Sequence, residues 1–133
     1  MRHRPDVEEI FRQEMLKLRS EYIAHSLTQV EAMRSLLQPH ESVRLRTEAL
    51  TQLITLAHRL RGSGQTYDLS EVTDWASILE DDLRSIERNR GRLTVERRRS
   101  LLSVLDQLRS ILEAEQDKDR ESKIEDRGSK IED

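Results

Sequence analysis

The chain lacks cysteine and contains little proline, few aromatic residues and no long apolar run. Without cysteine it has no disulfide, no thiol nucleophile and no cysteine-ligated zinc. No stretch has the length and hydropathy of a membrane span or of a signal-peptide core. Aromatic residues make up only 3% of the chain, whereas strands are enriched in them. We therefore expect a helical protein of the cytoplasm.

What the chain does contain is charge of both signs. Charged residues account for 37% of its 133 positions, and the net charge is only −3 because 23 basic residues nearly balance 26 acidic ones, with the two signs interleaved along the sequence. This pattern is typical of helices with solvated faces, and it disfavours nucleic-acid binding, which uses clustered basic residues. The length corresponds to one domain of ordinary size and is too short to add an ATP-binding domain. A complete kinase is therefore not expected.

Four segments carry apolar residues at alternating spacings of three and four, the signature of amphipathic helices. The first segment runs to about Leu37, with a stripe that shifts around the axis near Tyr22. The second runs from about Val43 to Thr66, after a loop at 38–42 that is predicted because Pro39 disfavours a continuous helix. The third has the clearest stripe, at Leu69, Val72, Ala76, Leu79, Leu83 and Ile86. The fourth begins after Thr94, and Gly91 precedes it where a left-handed residue commonly ends a helix.

These segments predict an all-α protein, namely an antiparallel up-down four-helix bundle with an N-terminal helical extension. The apolar stripe ends after Glu115, and the sequence SKIED then occurs twice, at 122–126 and at 129–133. So few apolar residues cannot offset the entropy of ordering a segment. We therefore expect the bundle to occupy residues 1–116 and residues 117–133 to form a charged disordered tail.

The second helix carries a histidine on its solvent side. On a helical wheel His58 lies about 120° from the core stripe that ends with Leu60 and Gly64. Gly62, one turn after the histidine, removes a side chain that would otherwise shade the ring. Gly64 points to the core and allows close helix packing. Because a glycine inside a helix costs about 1 kcal/mol relative to alanine, two of them beside a histidine suggest a functional surface.

The sequence His58, Arg59, Leu60, Arg61, Gly62, Ser63 resembles the conserved block of the histidine phosphotransfer (HPt) domain family. Downstream, Leu79 and Glu80 match the apolar and acidic pair that often closes this block. Arg61 replaces the frequent lysine, which keeps the charge but changes its geometry.

Asp68 replaces a frequent glycine of the same block. With Glu71 it fits a capping box at the start of the third helix. If the turn there needs a positive backbone angle instead, aspartate is one of the few residues that tolerate one.

The resemblance implies that His58 accepts a phosphoryl group from the aspartyl phosphate of a receiver domain. It also implies that Arg61 stabilises the transferred group, while Gln65 could hydrogen-bond a phosphoryl oxygen or the ring. The chain would be a phosphocarrier and not an enzyme, and it would need no cofactor, because magnesium belongs to the receiver. The implied partners are response-regulator receiver domains and hybrid or sensor histidine kinases, with no nucleic acid and no membrane. We expect a monomer.

Three other interpretations compete with this one. The bundle could be an adaptor that docks receiver domains or other signalling partners through Thr51, Ile54 and Gly62 without carrying phosphate. It could be the phosphoacceptor part of a histidine kinase, but that family usually has an acid after the histidine and a proline five residues on, where this chain has Arg59 and Ser63. A metal site is the weakest interpretation, because the remaining histidines occur singly, at positions 3, 25 and 40.

Overall fold

The structure is a computed structural model, which describes residues 6–37 and 44–131, with side chains up to Glu121. This part of the chain forms four helices: α1 (Val7–Leu37), α2 (Thr47–Thr66), α3 (Ser70–Arg88) and α4 (Val95–Ile131). Within the described residues no strand is present, and one isolated antiparallel bridge joins Arg44 to Arg92. The predicted all-α class is confirmed.

The helices pack as a closed antiparallel ring in which each contacts its two neighbours along the chain and α1 also contacts α4. Leucine, isoleucine, valine, alanine and one methionine fill the centre, with fully buried examples in Met33, Leu53, Leu83 and Leu105. The amphipathic stripes explain this arrangement, because each helix can cover its apolar face only against the other three. The predicted up-down bundle is therefore confirmed.

The loop before α2 differs in part from the sequence prediction. The helix begins at Thr47, four residues later than expected, and the predicted loop at 38–42 lies outside the described residues. Leu45 is held instead in extended backbone, where its amide donates to the carbonyl oxygen of Gly91 at 2.8 Å. Gly91 has a φ of +80°, and an added Cβ would lie 2.8 Å from the carbonyl oxygen of Leu45. The left-handed glycine predicted after α3 is confirmed.

The turn between α2 and α3 corrects the prediction of a capping box. The helix begins at Ser70, and Leu69 precedes it without a side-chain cap. Asp68 has a φ of 59°, so its backbone occupies the left-handed region that glycine usually fills. The aspartate is therefore present because it tolerates this backbone angle, and not because it caps α3. By contrast, Thr94 does cap α4, since its Oγ1 accepts a hydrogen bond from the amide of Arg97 at 3.1 Å.

Two helices continue beyond this turn. The ring of Tyr22 in α1 stacks on that of Tyr67, with centroids 4.3 Å apart, so the residues of α1 before Tyr22 pass the end of α2. Its neighbour α4 also continues past the turn and runs without interruption to Ile131. Arg19 joins these two helices through hydrogen bonds to Glu115 and Asp119. The predicted N-terminal helical extension is confirmed.

The predicted domain boundary after residue 116 falls inside α4, which continues to Ile131 and so includes most of the segment expected to be disordered. Helix-forming residues dominate this segment, and Asp119 is additionally anchored by Arg19. The division into a bundle and a separate tail stays a prediction.

The ion pair between Arg19 and Glu115 should make stability depend on pH. Burial raises the pKa of Glu115, but hydrogen bonds and charges from Arg19 and Lys118 outweigh burial and hold it below its ordinary value of about 4.5. A carboxyl with a lowered pKa in the folded state stabilises the fold above its unfolded pKa and loses that contribution as the pH falls. Replacing Glu115 by glutamine should therefore lower the free energy of unfolding at pH 7 by less than about 1 kcal/mol.

The difference between this variant and the parent should shrink as the pH falls below about 4.5, where the carboxyl of the unfolded chain becomes protonated, and should vanish below the lowered pKa of Glu115 in the folded state. Urea denaturation followed by circular dichroism between about pH 3 and pH 7 measures this convergence. Glu113→Gln is the matched control, since Glu113 is exposed on the same helix. A constant difference at every pH would contradict the assignment.

No helix within the described residues is long and apolar enough to cross a membrane.

Candidate functional site

His58 lies in the middle of α2 and points away from the core. Its side chain is 69% exposed, whereas its neighbour Ala57 is completely buried. The residues that share the core face of α2 occur every three or four positions, so the histidine falls outside that stripe. The predicted solvent-facing position of His58 is therefore what the structure shows.

A buried carboxylate lies beneath the ring. Glu80 of α3 is only 3% exposed, and both of its oxygens lie 3.2 Å from Nδ1 of His58. An ionised carboxylate only accepts hydrogen bonds, so Nδ1 must be the donor. In the neutral ring the proton then sits on Nδ1, and Nε2 keeps its lone pair. The contact thus selects the tautomer whose outward nitrogen is nucleophilic.

Two arginines also bind Glu80. Arg84, one turn later on α3, donates from Nε and Nη2 to Oε2 at 2.9 Å and 2.8 Å. Arg61 of α2 donates from Nη1 to Oε1 at the longer distance of 3.4 Å. Burial raises the pKa of Glu80, but the hydrogen bonds from Arg84, His58 and Arg61 outweigh it and hold the pKa below its ordinary value. The carboxylate therefore stays ionised at neutral pH.

The two glycines of α2 have different surroundings. An added Cβ at Gly62 would find no atom within 4 Å, so this position is open surface one turn from His58. At Gly64 the Cβ would lie 2.5 Å from Oγ1 of Thr73 and 3.0 Å from the carbonyl oxygen of Leu69. The prediction that Gly64 allows close packing is confirmed. The close approach also brings Thr73 to α2, where its hydroxyl donates to the carbonyl oxygen of Arg61.

Of the residues predicted to contact a partner, Thr51 and Gly62 are exposed, but Ile54 is 8% exposed and belongs to the core. The prediction of Ile54 as a docking contact is corrected on this ground. The physical reason is its helical position, which is only about 40° from that of the buried Leu50.

Gln65 lies seven residues after His58, about 10 Å along the helix axis. Its amide is too far away to hydrogen-bond the ring, and the acceptor at the ring is Glu80. A hydrogen bond from Gln65 to a phosphoryl oxygen stays a prediction.

The sequence identifies Glu80 only as part of the family block, and its contact with the ring is seen only in the structure. One signal was available: Glu80 lies among Ala76, Leu79 and Leu83, on the apolar side of α3, where an unpaired carboxylate would be costly. Arg84 four residues later supplied one partner. The partner across the helix pair could not be identified without the register of α2 against α3.

The site is therefore a solvated imidazole with a free Nε2, a buried anionic acceptor at Nδ1 and a guanidinium beside it. Within the described residues, no three histidine or acidic side chains are grouped as a metal site would require. The arrangement suits a nucleophilic nitrogen that receives an anionic group from an approaching partner.

Comparison with known families agrees with this geometry. The family model described as Hpt domain matches residues 17–118, a span that includes most of α1, all of α2 and α3, and the first two thirds of α4. No curated protein and no solved structure gave a significant match. Because the family model covers well over half of the chain, the protein belongs to the Hpt domain family, the histidine phosphotransfer domains of two-component phosphorelays.

Proposed function

We propose that His58 is the phosphoacceptor, which takes a phosphoryl group from the aspartyl phosphate of one receiver domain and passes it to another. The observation that supports this proposal best is the hydrogen bond between Nδ1 of the exposed ring and the buried Glu80 carboxylate. It leaves Nε2 as the nitrogen that points outward with a lone pair.

In the transfer, Nε2 forms a bond to phosphorus while the bond between phosphorus and the aspartate oxygen breaks. The electron pair of that bond stays on the aspartate, which leaves as a carboxylate. Because Nδ1 keeps its proton, the phosphorylated ring carries positive charge. Glu80 is placed to stabilise this charge as it develops, and the return transfer to a second receiver reverses each step.

Arg61 is the cation available to the phosphoryl oxygens. Its side chain is 49% exposed, and it shares Oε1 of Glu80 with His58, so the guanidinium lies next to the ring. The shorter contacts of Arg84 hold Glu80 in place when Arg61 turns toward the phosphate. A guanidinium presents two parallel donors to phosphate oxygens, and it therefore suits this role.

The proposal assigns magnesium to the receiver, which carries the aspartyl phosphate, and no cofactor to this chain. Docking would use the surface around His58, where Gly62 and Thr51 leave the ring accessible.

A direct test is transfer from a purified receiver that has been phosphorylated with labelled phosphate. The expected product is this chain carrying label that is lost in acid and kept in base, as for a phosphohistidine. Adding a second, unphosphorylated receiver should then remove the label. If the chain binds the receiver but never takes up label, the adaptor interpretation is correct and the proposal fails.

Glu80→Gln should slow phosphoryl uptake by about tenfold, because an amide still accepts the Nδ1 proton but carries no charge to stabilise the phosphorylated ring. The initial rate of label uptake at saturating receiver measures the effect. Asp81→Asn is the matched control, since Asp81 is the exposed acid that follows Glu80 on α3. A rate equal to that of the parent, in a variant with parental circular dichroism, would remove Glu80 from the mechanism.

A further inference from the structure

The first three turns of α1 carry an unusual concentration of exposed apolar side chains. Val7 is 78% exposed and Phe11 66%, and three further residues on the same side, Ile10, Met15 and Leu18, are 37% to 46% exposed. These five residues span about 140° of the helix surface, and together they form the N-terminal stripe. Elsewhere in the described chain, exposed large apolar residues are scattered, as at Ile78 and Val95.

The stripe lies at a level of the bundle where only two of the four helices, α1 and α4, are present. At the turn, α2 ends at Thr66 and α3 begins at Ser70, while α1 and α4 both continue beyond it. Arg19 ties these two helices together through Glu115 and Asp119. The result is a two-helix arm, defined here as residues 7–19 of α1 with the end of α4. No other helix of the described chain covers the apolar side of this arm.

A cavity of about 430 Å³ lies between the arm and the α2–α3 turn. Its walls are largely apolar and include Phe11, Met15 and Leu16 from α1 and Tyr67 from the turn. A space of this size accepts several side chains of a neighbouring helix.

A receiver centred on His58 would cover only the end of the stripe nearest the histidine, at Leu18. Tyr22 is level with Ser63 of α2, to which its hydroxyl is hydrogen-bonded at 2.7 Å. Phe11 is eleven residues further along α1, so it lies about 24 Å from His58 along the bundle axis. An ordinary interface of about 800 Å² per partner extends only about 16 Å from its centre. The family match also begins at residue 17, after most of the stripe.

The geometry points to a second copy of this chain as the occupant. Two arms related by a twofold axis would restore four helices around the apolar surface, and the same patch would serve both copies. The five side chains expose on the order of 500 Å², the size of the largest apolar patch on a typical monomer, and patches of this size often serve as binding surfaces. Burying them on both copies removes about 1,000 Å², and flanking contacts bring the total to the lower range of specific dimers. A reversible dimer follows, in contrast to the monomer expected from the sequence.

Sedimentation equilibrium of the full unphosphorylated chain from about 1 to about 200 µM tests this inference. The weight-average mass should rise with concentration from 15.7 kDa toward twice that value. A monomer mass throughout the range would overturn the dimer and leave the proposed phosphotransfer intact, since the assay involves no phosphate.

Two substitutions in the stripe have opposite expected effects. Phe11→Gln should weaken the dimer by tenfold or more, and the variant should fold normally because Phe11 is mostly exposed. Glu14→Leu should tighten it, because Glu14 is a charged residue that interrupts the stripe between Ile10 and Leu18. Ile78→Gln is the control, because Ile78 is an exposed apolar residue of α3 outside the stripe. The dimer inference fails if Phe11→Gln associates as strongly as the parent. It also fails if this variant loses receiver binding and still dimerises, since the stripe would then serve another partner.

Discussion

Replacing His58 by glutamine is expected to abolish phosphoryl uptake from a phosphorylated receiver. The amide nitrogen of glutamine has no lone pair available for attack on phosphorus, so the loss should reach the detection limit of the assay. The fold should be unaffected, because 69% of the His58 side chain is exposed and Glu80 keeps its hydrogen bonds from Arg84 and Arg61. The measurement is labelled phosphate retained by the chain after incubation with the charged receiver.

The control for this experiment is His25→Gln. His25 is an exposed histidine in the middle of α1, whose ring is hydrogen-bonded to Gln29. This variant should take up label at the parental rate. Persistent labelling of His58→Gln together with loss of labelling in His25→Gln would move the phosphoacceptor to α1 and remove the basis of the proposed mechanism.

The position of the acceptor could be predicted from the sequence because it depends on one helix alone. Spacing within α2 determines that His58 and Gly62 face solvent while Gly64 faces the core, and the structure places all three accordingly. The same spacing places Ile54 only about 40° from the buried Leu50, so the burial of Ile54 also follows from this one helix.

The contacts of the ring could not be predicted in the same way. Glu80 meets His58 only because α2 and α3 pack with one particular register, which Gly64 and Thr73 help to set. Register depends on close contacts between helices that are distant in sequence, and periodicity within each helix carries no information about it. Gln65 is a different case, because it lies on the same helix as His58 and the rise per residue alone separates the two by about 10 Å.

Asp68 shows a different limit of prediction from the sequence. The pattern of an acid followed three residues later by Glu71 satisfies the capping rule, yet the backbone at Asp68 is left-handed and the helix starts two residues later. Two local preferences of aspartate, capping and tolerance of a positive φ, compete at such a turn. The outcome depends on how closely α2 and α3 approach, and hence on Gly64.

Gly64→Ala should destabilise the bundle by about 2 kcal/mol, and Gly62→Ala should stabilise it by about 0.5 to 1 kcal/mol. Both changes gain the same helix propensity, so their difference isolates the packing contribution. At Gly64 the new methyl group would lie 2.5 Å from Oγ1 of Thr73 and 3.0 Å from a backbone oxygen of Leu69. Thr73 cannot rotate away without losing its hydrogen bond to Arg61, so α3 must shift as a whole.

Urea denaturation of the two variants and the parent measures the difference in unfolding free energy. The shift of α3 in Gly64→Ala also moves Glu80 away from Nδ1 of His58, so this variant should take up phosphate more slowly even where it is fully folded. Gly62→Ala keeps the register and changes only the open surface beside the ring. It should therefore combine higher stability with weaker receiver docking, seen as a higher receiver concentration at half-maximal rate. If both variants gained stability equally, the tight approach of the two helices at Gly64 would not exist in solution, and the register that brings Glu80 to the histidine would need another cause.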